Sequence, residues 1–152
     1  MDDKDRQILR QLQMDGRLTN QELADRVHLS PSPCLRRLRN LEASGIIQGY
    51  TAIIDQKAYG LPITVFVRIR LERHSRESVA TFERMIGDID EVMDCYLMTG
   101  DADYLLRVVV ESLEAYEAFI RDKIHDIPMI AAIDTSFAYG LIKRAKALPE
   151  IG

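Results

Sequence analysis

Residues 19–49, TNQELADRVHLSPSPCLRRLRNLEASGIIQG, constrain the fold of this chain more than any other stretch. Thr19 with Glu22 three residues on is a capping box, and it precedes the apolar residues Leu23, Ala24 and Val27. That pattern predicts a short helix ending near His28-Leu29. Ser30-Pro31-Ser32-Pro33 then makes a turn. Ser32 reads as the N-cap of the next helix and Pro33 as its first residue, where a missing N–H costs nothing. Gly45 closes this helix as the residue after its cap. Upstream, Asp3 or Asp5 starts a first helix with the apolar stripe Ile8, Leu9 and Leu12, broken by Asp15-Gly16. Three short helices around one small core form a helix-turn-helix module.

The third helix has two faces. At roughly 100° per residue, Cys34, Leu35, Leu38 and Leu41 form the core stripe, and Arg36, Arg37, Arg39 and Asn40 lie opposite. An arginine can fork onto guanine O6 and N7, while serine hydroxyls and helix N-terminal amides suit phosphates. The candidate DNA contacts are Thr19, Asn20, Ser30, Ser32, Pro33, Arg36, Arg37, Arg39, Asn40 and Tyr50. Ile46 to Ile54 reads as a strand leaving the module. The competing reading is a helical module that docks another protein, within a metabolite-binding regulatory subunit. A docking helix would present apolar or aromatic anchors where this one presents arginines.

The overall charge of −4 hides a split: residues 1–60 carry 9 Lys/Arg against 8 Asp/Glu, and residues 61–152 carry 11 against 16. Acidic groups held beyond roughly 8 Å from the phosphates are screened at physiological salt, so the local arginine cluster decides. Cys34 and Cys95 are too few for a disulfide framework or a zinc site. Cys34 sits on the apolar stripe as a core thiol. His28, His74 and His125 are scattered without metal spacing. No nucleophile–base pair, phosphate-binding glycine loop or cofactor motif points to an enzyme, and no cofactor is expected. The charged N-terminus and the lack of a long apolar run predict a cytoplasmic chain without membrane contact.

Asp55 to Pro62 is the boundary, which divides the chain into a DNA-binding domain at 1–54 (motif about 20–39), a linker at 55–61 and a second domain at 62–152. Beyond the linker the period becomes two, with Ile63, Val65, Val67, Ile69 and Leu71 alternating with more polar neighbours. Ser75 caps a helix carrying Val79, Phe82, Met85 and Ile86, ended by Gly87. Strands follow at about 92–98 and 104–110, around the loop Thr99 to Asp103. Ser112 caps a helix with Leu113, Tyr116, Ile120 and Ile124 that Pro128 stops, and a last strand runs from about Ile130 to Tyr139. The order β-α-β-β-α-β is a ferredoxin-like unit with both helices on one sheet face, so the fold class is α+β. The strand YLLRVVV is apolar on both sides apart from Arg107, and Phe66 adds to the uncovered face. Such a face predicts dimerisation through the sheets, which would also pair two DNA-reading modules.

The 99–103 loop is the one polar, acidic, glycine-containing turn between strongly apolar strands. Gly100 exposes backbone N–H groups for a carboxylate, and Asp101 and Asp103 suit an ammonium group; those are the two ends of an amino acid. Thr135 and Ser136 add hydroxyls across the sheet. Gly and Asp also serve a hairpin turn for its geometry alone. Two carboxylates make a poor cation cage, so no metal is assigned.

The opening Asp2, Asp5, Arg6, Ile8 and Leu9, then DGRLTNQELA at 15–24, LSPSPCLRRL at 29–38 and LEASGIIQGYTA at 41–52 resemble the Lrp/AsnC family of transcriptional regulators. The resemblance implies a (winged) helix-turn-helix domain followed by a ferredoxin-like domain for ligand sensing and dimerisation, with homodimers that often assemble into octamers. It implies double-stranded operator DNA and an amino-acid effector as partners. It also implies that Gly100, Asp101, Asp103 and Tyr104 belong to an effector loop, with Thr99 beside them. Ala102 stands where the family commonly has an aromatic residue.

Overall fold

The computed structural model describes residues 1–151, which form two compact units: 1–53 together with 142–151, and 54–141. The sequence division ran the second domain to residue 152. In the structure the described residues from Ile142 group with the N-terminal unit, because Leu148 donates its N–H to Gln13 and Arg10 pairs with Glu150 at 3.2 Å.

In the first unit, α1 (Asp3–Met14), α2 (Asn20–Arg26) and α3 (Pro31–Ala43) enclose Ile8, Leu23, Ala24, Val27, Cys34 and Leu41. Each buried Ile, Leu or Val among them contributes about 1.5–3 kcal/mol. The cap of α1 is Asp2, one residue before the expected start; its carboxylate accepts from the Asp5 N–H while the Asp5 carboxylate accepts from the Asp2 N–H. The Thr19–Glu22 box forms at the head of α2. That helix ends at Arg26, earlier than expected, because His28 takes a φ of 54° and turns the chain.

The start of α3 also differs. Ser30, not Ser32, is its N-cap, and Pro31 rather than Pro33 opens it. Both prolines fit, since the N–H groups of the first turn have no intrahelical acceptor. Leu38 packs with Cys34 and Leu41, while Leu35 is half-buried outside that cluster. Gly45, at φ 73°, ends the helix and donates to Glu42. Residues 46–54 form no strand; their β-branched pattern meets no partner strand in either unit.

The second unit is a four-stranded antiparallel sheet in the order β2-β3-β1-β4, with β1 at Ile63–Leu71, β2 at Val92–Leu97, β3 at Tyr104–Val110 and β4 at Ile130–Phe137. Helices α4 (Arg76–Gly87) and α5 (Leu113–Phe119) bury Phe82, Ile86, Tyr116 and Phe119 among the inward residues Val65, Val67, Ile69, Leu106 and Val108. A single π-helical turn, Ile120–Ile124, extends α5 and buries Ile124. Leu113, expected on the apolar stripe, is 59% exposed, since the first helical position faces away from the sheet.

The sheet face away from the helices carries Phe66, Leu105 and Tyr96, but charged pairs interrupt it beyond the Arg107 that the sequence excepts. Arg68 pairs with Asp134 at 2.9 Å and Arg107 with Asp94, across adjacent strands. No helix among the described residues is long and apolar enough to cross a membrane.

Candidate nucleic-acid interface and effector cleft

Helix α3 presents Ser32, Arg36, Arg39 and Asn40 to solvent, all exposed and all within one stripe of i, i+3 and i+4 spacing. Among the described residues neither Arg36 nor Arg39 has an acidic partner. The Ser30 hydroxyl makes no cap hydrogen bond, and because Pro31 and Pro33 carry no N–H and the Cys34 N–H bonds the Ser30 carbonyl, the Ser32 N–H is the one open donor of the first turn of α3 among the described residues. Together these groups form a donor-rich surface matched to a phosphate and base-edge acceptor pattern.

Other residues proposed for that surface are engaged inside the unit. Arg37 is the main correction: its Nη1 donates to Asp2 Oδ2 and to Asp5 Oδ1, both at 2.8 Å, and it therefore leans onto α1 instead of facing outward. Thr19 spends its hydroxyl on Glu22. Asn20 donates from Nδ2 to the Pro31 carbonyl at 2.9 Å, which ties the start of α2 to the start of α3; its Oδ1 is buried without a partner. Tyr50 donates to Glu42 at 2.9 Å. Burial first, and then that carboxylate, push the Tyr50 phenol upward.

On the open face of the sheet lies a cleft of about 450 Å³. Its walls come from β1 (Arg68, Arg70), the end of the β2–β3 hairpin (Met98, Thr99, Asp101, Ala102), Leu105 of β3, and Ala132 and Asp134 of β4. The register explains the grouping, because Arg68 stands opposite Asp134 and Arg70 opposite Ala132. Arg68 and Asp134 satisfy each other. Arg70 and Asp101 have no ion-pair partner among the described residues, so the cleft offers one open cation and one open anion beside an apolar wall.

Of the residues named from sequence for a ligand, Thr99 and Asp101 line this cleft. Gly100, at φ 111°, shapes the turn behind it, and Ser136 is exposed outside it. Three others face elsewhere. Asp103 accepts from the Leu71 N–H at 2.7 Å and bonds His74 Nε2 at 2.7 Å. The Leu71 N–H, ahead of His74, holds its carboxyl below the usual carboxylate range. Tyr104 is buried on the helix side and donates to Glu83 at 3.0 Å; burial first, then Glu83, push its phenol up to about 12. Thr135 hydrogen-bonds Tyr116 at 2.6 Å on the same inner face. The cleft residues that sequence reasoning missed are Arg68, Arg70, Met98, Leu105, Ala132 and Asp134. Their signal was the pair of arginines at alternate positions of β1, on the side that the core leaves uncovered.

Comparison with known proteins finds one family for the helical part of the chain and one for the sheet. The winged helix-turn-helix DNA-binding family matches residues 1–48, and the Lrp/AsnC ligand binding domain matches residues 64–148. The Bkd operon transcriptional regulator of Pseudomonas aeruginosa is 44% identical, over 98% of this chain and 97% of its own length. The crystal structure of an AsnC family transcriptional regulator from Agrobacterium tumefaciens superposes with a TM-score of 0.93 at 42% identity, covering 98% of this chain and 97% of that one. A transcriptional regulator from Neisseria meningitidis, solved as a complex with L-Met, gives 0.92 at 36% identity, covering 98% and 96%.

Proposed function

The chain belongs to the Lrp/AsnC family of transcriptional regulators, a non-enzymatic class of DNA-binding proteins, and from that premise we propose how its two units divide the work. Ser32, Arg36, Arg39 and Asn40 on α3 read the major groove, with the Ser32 N–H and hydroxyl at the head of α3 on a phosphate. Two such units, joined through the ferredoxin-like domains as a homodimer or a larger assembly such as an octamer, read a pseudo-palindromic operator. The partly apolar open face of the sheet, with Phe66, Leu105 and Tyr96, supports the association.

The effector is an amino acid held in the cleft of Arg70 and Asp101. The observation that carries this reading is the pairing of one unengaged guanidinium and one unengaged carboxylate in a single cleft. A zwitterion supplies the complementary charges, and Met98, Ala102, Leu105 and Ala132 favour an uncharged side chain. The L-Met complex of the Neisseria relative is of this chemical class. Effector binding changes DNA occupancy by favouring one assembly over another, which requires that its affinity differ between them.

A thermal-shift screen of the twenty amino acids tests the reading. A neutral amino acid should raise the melting temperature of the wild-type chain and leave the Asp101→Ala variant unmoved. An equal shift in both would remove the cleft as the effector site.

A further inference from the structure

We propose that Arg37 is a positioning residue, not a DNA contact: it locks the roll of α3 against α1 so that Arg36 and Arg39 meet the groove in a fixed register. The proposal rests on the DNA-reading role of α3. It grows from the way the hydrogen bonds are shared. Asp2 gives Oδ1 to the Asp5 N–H and Oδ2 to Arg37; Asp5 gives Oδ2 to the Asp2 N–H and Oδ1 to Arg37. Each carboxylate thus spends one oxygen capping α1 and the other holding α3. Both bonds to Arg37 go to the same nitrogen, whose two N–H groups are thereby used.

Geometry favours this role over phosphate contact. The Arg37 side chain is 32% exposed and that of Asp5 only 17%, whereas Arg36 and Arg39 are exposed without partners. A phosphate approaching Arg37 would meet two carboxylates already in contact with it and be repelled by both. Core packing around Cys34, Leu38 and Leu41 is apolar and non-directional, so it resists separation of the helices more than it resists rotation of α3. The double bond from Arg37 to the head of α1 supplies the missing direction. Direction matters because base readout tolerates little angular error.

The test compares variants of the full chain on two duplexes: one recovered from a random-sequence pool by the wild-type chain, and one unrelated. Affinity is measured across a salt series, where each lost phosphate contact flattens the slope by about 0.9. Arg37→Ala should weaken binding to the selected duplex about tenfold, leave the unrelated duplex nearly unaffected and keep the salt slope. Asp2→Asn/Asp5→Asn should reproduce that loss; asparagine caps as well as aspartate at position 2 and at position 5 keeps an amide oxygen for the Asp2 N–H, so α1 keeps both cap bonds even where Arg37→Ala disturbs folding. Combining all three changes should weaken binding no further than either set alone. Tighter binding and a steeper slope in the double asparagine variant would show that the aspartates restrain a phosphate-binding Arg37, and would overturn the proposal. So would a flattened slope, or an unchanged affinity for the selected duplex, in Arg37→Ala. An Arg36→Ala/Arg39→Ala control with unaltered binding would instead overturn the DNA-reading role of α3 itself.

Discussion

In the helical unit and in the sheet unit, residues of the same chemical type have been divided between two jobs. Arg36, Arg37 and Arg39 all lie opposite the core stripe of α3 in the sequence, yet only Arg37 is tied down, by Asp2 and Asp5 at the head of α1. Asp101 and Asp103 are equivalent in the loop, yet only Asp103 is tied down, by the Leu71 N–H and His74. In each unit the engaged residue fixes the element that carries its unengaged neighbour. Arg37 holds α3, and Asp103 anchors the β2–β3 hairpin to the end of β1. A charged residue in a binding motif is therefore free for a ligand only where no internal partner already holds it.

The largest effect should come from the unengaged arginines. Arg36→Ala/Arg39→Ala removes two groups, each worth about 1–3 kcal/mol where it reads a base. Operator affinity should fall by about a hundredfold or more in a gel-shift titration, while size-exclusion chromatography gives an unchanged oligomer. A loss no greater than that of Arg37→Ala would break the division between reading and positioning.

What was legible in the sequence follows the range of the interaction. The Thr19–Glu22, Ser75 and Ser112 caps lie within three residues of their partners, and all three form. The alternation of β1 is likewise local, and Val65, Val67, Ile69 and Leu71 are buried. The Ser-Pro-Ser-Pro run was ambiguous because both Ser-Pro pairs satisfy the same rule, and the structure uses the first. The internal bonds of Arg37 and Asp103 were not legible because their partners lie about thirty residues away, as Asp5 and Leu71 do. No periodicity reports such a contact. Half of the cleft was hidden for a related reason: Arg68 and Asp134 meet only once β4 pairs with β1. The strand expected at 46–54 failed in the opposite way, since its composition suits a strand but a ladder needs a second one.

The two aspartates give the next test. Asp103→Ala leaves the half-buried Leu71 N–H unsatisfied and should cost about 1–3 kcal/mol, seen as a lower melting temperature with no effector present. Asp101→Ala should leave that temperature unchanged and abolish only the effector-induced rise. Acid sharpens the contrast. The folded-state pKa of Asp103 lies below its ordinary 3.8, so its contribution is complete above that value and is lost as pH falls through the folded one. Melting temperatures measured as pH drops below about 4 should therefore fall less steeply in Asp103→Asn than in the wild type. Parallel behaviour of Asp103→Ala and Asp101→Ala would erase the distinction between anchor and ligand contact.

The smallest effect concerns Tyr104, the other loop neighbour that faces inward. Tyr104→Phe removes the hydrogen bond to Glu83 and should cost about 1 kcal/mol in urea unfolding near neutral pH. Its phenol is raised from 10.0 to about 12 by burial and by Glu83. That contribution is complete below pH 10 and is lost as pH rises through about 12, because the unfolded chain ionises first. Between about pH 8 and about pH 11 the wild type should therefore lose more stability than Tyr104→Phe, although both share every other tyrosine. Effector affinity should not change, since the ring packs against Phe82 with centroids 4.4 Å apart, on the side of the sheet away from Arg70 and Asp101. A drop in effector affinity with normal stability would place Tyr104 back in the ligand site and show that the two sheet faces do not divide structure from binding.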